Sequence, residues 1–339
     1  MSALPGLIAR GFRNERVFVT LTICTMGELL VEFLSRDPQQ KFTQPGEFVG
    51  PFPSGAPAIF AAQVAKLAHR AIIFGCVGSD DFGRLNIERL RHEGVITDGI
   101  HIIDNAVTGT AFVSYRTPQE RDFVFNIPNS ACGVFAAKHI DIELLHQCTH
   151  IHIMGSSLFS FRMIDAMRKA ITVIKDAGGT VSFDPNIRKE MLNIPEMAQA
   201  LDYLVEYTDI FLPSESELPF FARYKNQPAE EIISELLHSG VKHVAVKRAQ
   251  QGASYYRLEK NTLQTLHIPG HKVNSVDPTG AGGCFGATFV SLFLAGFSAQ
   301  KALQYANASG ALAVMQQGPM EGISSISDIE NLLRDQPRP

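Results

Sequence analysis

The segment best suited to chemistry is a glycine-rich turn, DPTGAGGCFGAT at residues 277–288, which leads into an apolar stretch typical of a helix. Backbone amides at the start of a helix lack internal acceptors and carry the positive end of the helix dipole. A turn of small residues there can bind an anion such as a phosphate. An ionisable residue in the first turn could take a proton from an attacking hydroxyl, but Gly283 offers only a hydrogen at that place.

A second turn of small residues, PSGAPA at residues 53–58, precedes another predicted helix. Its small side chains allow the backbone to approach a ligand closely. Taken alone it is equally well explained as a turn and an N-cap.

The elements that must position these turns alternate in type along the chain. Short β-rich runs are separated by amphipathic stretches of helical length, which indicates crossover units and a parallel sheet covered on both faces. We therefore predict a doubly wound α/β/α sandwich. The predicted strands are 17–24, 71–77, 149–154, 180–183, 210–212 and 241–246, and the predicted helices are 58–69, 82–92, 162–177 and 195–207.

Two segments break this alternation. Residues 108–126 read as a hairpin around a polar turn at 117–120, and residues 29–52 as strand, loop and strand. Together they predict a small sheet that acts as a lid and excludes water from a reaction site, with strands in about 29–52 and 108–127. We expect a leader at 1–16, one domain with this lid at 17–335, and a tail at 336–339. The lid sheet could also pair with a second copy in a homodimer.

Composition excludes several classes of function. The 339 residues are 45% apolar and carry a net charge of only −4, so no basic field favours nucleic acid or an anionic membrane as a partner. The longest apolar run, Cys284–Phe297, falls short of the roughly 20 residues that span a bilayer.

The cysteines and the N-terminus favour a cytoplasmic protein. Five scattered cysteines without a CxxC pair are typical of reduced thiols. Residues 1–16 hold three arginines before an apolar run, which would also suit a signal or transit peptide, but no small-residue cleavage pattern follows.

A zinc site is the alternative for the alternating residues Cys148, His150 and His152, which share one face of a predicted strand. A core strand is needed at this point of the chain, and no other Cys/His cluster supports a metal. We expect core residues here.

Taken together, the motifs resemble those of one family. The stretch SGAPAIFAAQVAKLAHRAIIFGCVGSDDFG at 54–83 resembles the N-terminal signature of the PfkB-type carbohydrate kinases, the ribokinase family. The turn at 277–288 resembles their C-terminal signature, which usually ends in an aspartate after GAG. The resemblance extends over about residues 17–335. Further matches follow in the expected order: GELLVEF at 27–33, FDPNIR at 183–188, LPSESEL at 212–218 and NASGALAVMQQGPMEGI at 307–323.

This resemblance implies a ribokinase-like three-layer α/β/α sandwich with a mostly parallel sheet and a small β-sheet lid, which phosphorylates a sugar hydroxyl with ATP and Mg²⁺. Gly280, Ala281 and Gly282 would form the anion hole. Gly283 stands at the position of the family's catalytic aspartate. A positioned general base contributes about 100- to 10,000-fold, so the glycine form should be strongly impaired while its pockets persist.

The origin of Gly283 is open between a laboratory variant, a cloning mutation and a natural pseudokinase. Because the other motifs read as those of a working kinase, they favour a substituted active enzyme. A sugar- or nucleotide-binding regulator without turnover is the alternative from another class.

On the sugar side, the resemblance assigns Gly27 and Glu28 to the pocket floor, Ser54 and Gly55 to the sugar hydroxyls, Phe112 to packing from the hairpin, and Arg188 to the sugar or the transferred phosphate. Glu28 could instead be a surface carboxylate and Arg188 a solvated cation. The family often has an asparagine where Ile59 stands, which puts one polar contact in doubt.

On the nucleotide side, the resemblance places Ser214 and Glu217 near Mg²⁺-bound phosphates; Ser214, where the family usually has an asparagine, could instead be an N-cap. Lys247, Gly252 and Asn307 would be neighbours of the nucleotide, with Ala249 at a common glycine position. Asp277 and Thr279 could hold a monovalent cation such as K⁺.

The hairpin residues 112–115 include no arginine, which favours a neutral ketohexose such as tagatose or fructose. The alternative is a sugar acid, 2-keto-3-deoxygluconate, because Arg116 or Arg121 could reach round to a carboxylate.

Overall fold

The computed structural model describes residues 20–37, 39–116, 121–187 and 197–335. The expected leader at 1–16, the tail at 336–339, the hairpin turn at 117–120 and Arg188 lie outside these ranges.

A nine-stranded sheet forms the centre of the fold, in the order β13-β12-β11-β10-β9-β8-β1-β4-β5. Its strands are numbered in chain order together with those of a second sheet. Their bounds are β1 Thr22–Met26, β4 Arg70–Gly78, β5 Ile100–Ile103, β8 His150–Met154, β9 Thr180–Asp184, β10 Ile210–Phe211, β11 His243–Lys247, β12 Ala253–Glu259 and β13 Thr262–Ile268. Neighbouring strands are parallel along the part of the sheet that runs β11-β10-β9-β8-β1-β4-β5. β12 and β13 add an antiparallel edge beside β11.

Helices cover both faces of this sheet. Two buried apolar clusters result, one packed around α4 and one around α1, α7 and α8. The helix bounds are α1 Ala56–Lys66, α2 Asp81–His92, α3 Ile142–Leu145, α4 Phe161–Asp176, α5 Met197–Tyr207, α6 Ala229–His238, α7 Ala281–Leu294, α8 Ala299–Val314 and α9 Ile326–Asp335.

The lid is a separate four-stranded sheet in the order β3-β2-β6-β7, with β2 Leu30–Ser35, β3 Phe48–Ser54, β6 Gly109–Tyr115 and β7 Arg121–Asn126. The two predicted strand pairs, β2 with β3 and β6 with β7, are joined by parallel pairing of β2 with β6. Because β2 follows β1 after a short turn and β3 leads directly into α1, both anchor the lid beside the central sheet.

The predicted fold class, a mostly parallel three-layer sandwich with a small extra sheet, is confirmed. The two antiparallel strands β12 and β13 were not predicted. Among the described residues, no helix is long and apolar enough to span a membrane.

Candidate active site

The carboxyl ends of the parallel strands collect the predicted site residues at one edge of the central sheet. Gly27 and Glu28 follow β1, Asp184 ends β9, and Lys247 ends β11. Ligands of open α/β sheets bind at this edge, where loops leave the strands.

The glycine-rich turn begins α7 as the sequence predicts. Gly280 is the N-cap with φ 83°, a left-handed conformation that suits glycine, and a Cβ there would lie 2.2 Å from the Pro319 carbonyl oxygen. Among the described residues, no side chain caps this end of the helix, and its first turn contains no acidic residue. The amides of Ala281, Gly282 and Gly283 therefore form a helix start that suits an anion.

A buried ion pair lies beside this helix start. Lys247 Nζ is 2.5 Å from Asp184 Oδ2, and a Cβ on Gly282 would be 3.8 Å from the same ammonium. Burial raises the pKa of Asp184 to about 6, while the Lys247 charge lowers it and the nearby Glu217 raises it. The carboxylate thus holds the Lys247 ammonium next to the helix end that would receive a phosphate.

The loop before α7 is anchored by Asp277, which is 1% exposed. Its Oδ1 accepts hydrogen bonds from Thr279 N at 2.9 Å and Thr279 Oγ1 at 2.6 Å, and its Oδ2 accepts one from Gly318 N at 3.0 Å. The carboxylate thus fixes the turn in which Gly280 stands.

The lid reaches this loop through Arg121 of β7. Its Nη1 donates to Thr279 Oγ1 at 2.7 Å. Tyr115 pairs with Arg121 in the register of β6 and β7, and burial together with the nearby carboxylates of Asp277 and Glu32 raises its pKa. The lid therefore brings a guanidinium and a phenol to the start of α7.

Glu32 of β2 points to the same face of the lid. It is 8% exposed, and Ser54 Oγ donates to its Oε1 at 2.6 Å. Ser54 ends β3 immediately before Gly55, the N-cap of α1, where a Cβ would lie 2.2 Å from the Glu28 carbonyl oxygen. The predicted Ser54 and Gly55 are thus close to a carboxylate in the lid.

Glu28 is buried, 3% exposed, and its oxygens accept hydrogen bonds from protein groups. Ser156 Oγ donates at 3.0 Å, Ala56 N donates at 3.3 Å, and Ser157 Oγ makes a further bond. Burial raises the pKa of Glu28. Gly27 is equally close-packed, because a Cβ there would lie 2.1 Å from Ser157 Oγ. The structure gives Glu28 a role in holding these loops together, and it is not the surface carboxylate of the alternative interpretation.

Phe112 does not join the lid residues at the start of α7. It pairs with Phe33 in the parallel register of β2 and β6, and the two rings stack with centroids 5.0 Å apart. Because side chains alternate across a strand, this places Phe112 on the face opposite to Tyr115 and Arg121.

The loop LPSESEL places Ser214 and Glu217 next to Lys247, whose amide donates to the Pro213 carbonyl at 2.8 Å. Ser214 is the N-cap of a short 3₁₀ helix, and its amide and hydroxyl both donate to Glu217 Oε2 at 2.7 Å. Ile187 N donates to Glu217 Oε1 at 2.8 Å. Ser214 thus occupies the N-cap position of this helix, with its hydroxyl engaged by Glu217.

The remaining nucleotide-side residues meet at the end of β13. Asn307 Nδ2 donates to the Ile268 and Pro269 carbonyls at 3.0 and 3.2 Å. A Cβ on Gly252 would be 2.1 Å from the same Ile268 oxygen. Ala249 has φ 48°, a left-handed conformation, which explains why a glycine suits this position.

The candidate zinc ligands are engaged in the sheet. His150 is hydrogen-bonded to Thr180 Oγ1 and Ser182 Oγ, both at 2.7 Å, and His152 to Ser182 Oγ at 2.6 Å. Cys148 Sγ donates to the Leu144 carbonyl. In the described ranges, no group of three or more His, Cys, Asp or Glu side chains could hold a metal ion.

Three residues at this site were missed by sequence reasoning: Glu32, Arg121 as part of the anion-binding region, and Asp184 as the partner of Lys247. Glu32 and Asp184 stand inside the motifs GELLVEF and FDPNIR. For Glu32, a charged residue in the otherwise apolar run LLVEFL was the available signal, because carboxylates are seldom buried without a partner.

Comparison with known proteins agrees with this architecture. The profile of the pfkB family carbohydrate kinases matches residues 22–326. The "Probable fructokinase-3" of Arabidopsis thaliana is 30% identical over 323 residues, which cover 93% of this chain and 92% of that protein.

Solved structures show the same similarity. An E. coli protein provisionally described as ribokinase II, solved with ATP and Mg²⁺, is 50% identical, with a TM-score of 0.87 over 93% of this chain and 100% of that one. A double mutant of the Vibrio cholerae O395 fructokinase, solved with fructose, ADP and a potassium ion, is 25% identical, with a TM-score of 0.78 over 94% and 100% of the two chains. The chain therefore belongs to the pfkB family of carbohydrate kinases, and its fold is that of a sugar kinase.

Proposed function

We propose that this site transfers the γ-phosphoryl group of ATP to a hydroxyl of a neutral ketohexose such as fructose or tagatose, and that Gly283 lets the chain bind both substrates while it transfers slowly. The observation that carries the proposal is the uncapped start of α7 beside the Lys247–Asp184 pair, with Arg121 arriving from the lid. Phosphoryl transfer depends mainly on such positioning and charge stabilisation.

The nucleotide would place its transferred phosphate on the amides of Gly280, Ala281 and Gly282, with Lys247 neutralising charge. The ATP and Mg²⁺ of the E. coli relative support this assignment. Bound magnesium would neutralise phosphate oxygens. Glu217 suits an indirect contact through a metal-bound water, since its oxygens already accept three protein hydrogen bonds and Mg²⁺ retains waters. Gly252 and Asn307 would shape the wall on the adenosine side.

Potassium would bind at the Asp277 and Thr279 loop, as the potassium ion of the V. cholerae structure suggests by similarity. Both Asp277 oxygens already accept hydrogen bonds, so the residue would act mainly by holding backbone carbonyls in place. Replacing KCl with NaCl in binding assays tests this assignment.

The sugar would lie between the lid and the carboxyl edge of the sheet. Glu32 and Ser54 offer polar contacts to its hydroxyls, and the backbone at Gly27 and Gly55 allows close approach. Arg188 is assigned to the sugar or the transferred phosphate by resemblance alone.

Phe112 suits a different task. Its face of the lid carries the aromatic rings of Phe33 and Phe48, and Val124 on this face is 50% exposed. A second copy of the chain would pack there in a homodimer.

We place the protein in the cytoplasm because its five cysteines are all free and buried.

Restoring the base at position 283 tests the function. In transfer, the sugar hydroxyl oxygen bonds to the γ-phosphorus, the bond from that phosphorus to ADP breaks, and the hydroxyl proton passes to the base. With fructose or tagatose as acceptor, this chain should release ADP slowly. A variant whose carboxylate at position 283 can accept the hydroxyl proton should release ADP at least about 100-fold faster. Tight binding of sugar and ATP analogue without turnover in every carboxylate-bearing variant would instead favour a binding regulator.

A sugar acid such as 2-keto-3-deoxygluconate is the second candidate, and Arg121 favours it. The guanidinium reaches the start of α7 from the lid and could hold a carboxylate. Phosphorylation of the keto acid, with no phosphorylation of fructose or tagatose, would favour this candidate over the neutral sugar.

A further inference from the structure

Gly283 faces Ile59, a residue from the first turn of another helix. A Cβ on Gly283 would lie 3.0 Å from Ile59 Cγ2 and 3.5 Å from Ile59 Cβ. The same methyl carbon would be 3.7 Å from a Cβ on Gly280. The Cγ2 methyl of Ile59 thus covers the start of α7 at the point where the base would leave the backbone.

Among the three glycines within α7, at positions 282, 283 and 286, only position 283 is crowded. A Cβ on Gly282 would meet only the flexible Lys247 ammonium, at 3.8 Å, and a Cβ on Gly286 would find Leu212 Cδ1 at an ordinary 3.7 Å. A contact of 3.0 Å is shorter than carbon atoms prefer, which is about 3.5 to 4.0 Å. A side chain at 283 therefore requires that Ile59 or one of the two helices moves.

Ile59 cannot easily turn away. It is 5% exposed, its amide donates to the Gly55 carbonyl at 3.0 Å in the first turn of α1, and it packs within the cluster around α1 and α7. A β-branched residue in a helix has one strongly preferred χ1 rotamer. Rotation about χ1 would move the Cγ2 methyl away but would put Ile59 into a less favourable rotamer.

We infer that Ile59 controls whether a base at position 283 can work. While the Ile59 Cγ2 methyl remains, it displaces a carboxylate introduced at position 283 and surrounds it with apolar atoms. Once that methyl is removed, the carboxylate is correctly placed. The inference rests on the proposed phosphoryl transfer for its kinetic consequence. Its structural consequence concerns only the packing of α1 against α7. Because Ile59 fits against a glycine at position 283, Gly283→Asp alone should recover little activity.

Three replacements at Ile59 separate the causes. Ile59→Val retains the Cγ2 methyl and its rotamer restriction, Ile59→Ala removes the methyl, and Ile59→Asn replaces it with an amide that can donate to a carboxylate. Each is combined with Gly283→Asp, and kcat is measured with ATP and fructose or tagatose. Because misplacement by 1 Å can cost about 100-fold, the Ala and Asn combinations should exceed Gly283→Asp alone and the Val combination by at least about tenfold.

A readout independent of turnover comes from thermal unfolding. An aspartate in the first turn of a helix is favourable by itself, so Gly283→Asp should raise the unfolding midpoint when Ile59 is replaced by alanine. It should lower the midpoint in the Ile59 and Ile59→Val backgrounds. Gly282→Asp, one residue away and free of the contact, is the matched control and should raise the midpoint in every background.

The outcomes are distinct. If sugar is phosphorylated but Gly283→Asp alone is as active as its combination with Ile59→Ala, or the Val and Ala combinations are equally active, the inference about Ile59 is wrong and the proposed kinase function stands. If the midpoints follow the expected pattern but no variant phosphorylates any sugar, the packing inference holds and the proposed function fails.

Discussion

Lys247 Nζ lies 2.5 Å from Asp184 Oδ2, and this ion pair joins the ends of β9 and β11 beside the first turn of α7. The side chains are 16% and 3% exposed, so water screens the pair weakly. Burial alone raises the pKa of Asp184, and the ammonium opposes that shift. The lysine thus has two tasks: it keeps a buried carboxylate charged and presents a positive charge to a bound phosphate.

Lys247→Met should therefore weaken both stability and nucleotide binding. Removal of one partner of a buried pair costs about 3 kcal/mol of unfolding free energy. The cost should be smaller at pH 5 than at pH 7.5, because without the lysine the pKa of Asp184 rises further and protonation removes the uncompensated charge. Denaturant titrations at the two pH values, with calorimetric binding of a non-hydrolysable ATP analogue, measure both effects.

Lys242→Met is the matched control for that experiment. Lys242 is 63% exposed and pairs with Asp209, which also retains Lys175 at 2.9 Å. Its removal should cost less than about 1 kcal/mol and leave nucleotide affinity unchanged. Equal losses in the two variants would contradict the role assigned to Lys247.

Glu32→Gln should weaken sugar binding selectively. A hydrogen bond to a charged group contributes about 1.5 to 3 kcal/mol, so the Kd for the sugar should rise roughly 10- to 100-fold. Isothermal titration with fructose and with the ATP analogue tests this, and the analogue should bind as before. Glu47→Gln, at a side chain that is 71% exposed and paired with Arg36, should change neither affinity.

Arg121→Gln distinguishes a neutral sugar from a sugar acid. If the acceptor is neutral, its Kd should change by less than about fivefold, because no buried charge pair is lost. If the acceptor is a sugar acid, loss of the guanidinium should weaken binding by about 100-fold. Arg116→Gln is the control, since Arg116 pairs with Asp122 and is 67% exposed.

How much of this site could be predicted depends on how local each relationship is. The glycine turn and the start of α7 follow from a few adjacent residues, and so do most core strands. The roles of Glu32 and Arg121 depend on the register of the lid, because a shift by one residue would move either side chain to the other face. The same dependence explains Phe112, which was assigned to the sugar pocket and lies on the opposite face.

Contacts between distant segments were beyond sequence reasoning. Gly283 and Ile59 were each recognised as unusual positions, but only the packing of α1 against α7 shows that a side chain at 283 would meet Ile59. Ala249 was noted at a common glycine position, and its φ of 48° supplies the backbone reason.

The buried histidines of β8 make stability depend on pH in a definite direction. His150 is 1% exposed, and burial lowers its pKa to about 3; the pKa of His152 is also lowered by burial. As pH falls below about 6.5, the unfolded chain takes up a proton at His150 while the folded chain does not, so the folded state loses stability until the pH nears 3.

With a limiting slope of about 1.4 kcal/mol per pH unit, His150 alone should remove roughly 2 kcal/mol of unfolding free energy between pH 6.5 and 4.5. His150→Gln retains a polar side chain near Thr180 and Ser182 but does not titrate, so its unfolding free energy should fall less steeply over this range. Urea titrations at several pH values measure the slope, with His146→Gln at the surface as the control. A slope unchanged by His150→Gln would show that other groups carry the acid sensitivity. A flatter slope would identify His150, held neutral between Thr180 and Ser182, as a main source of it.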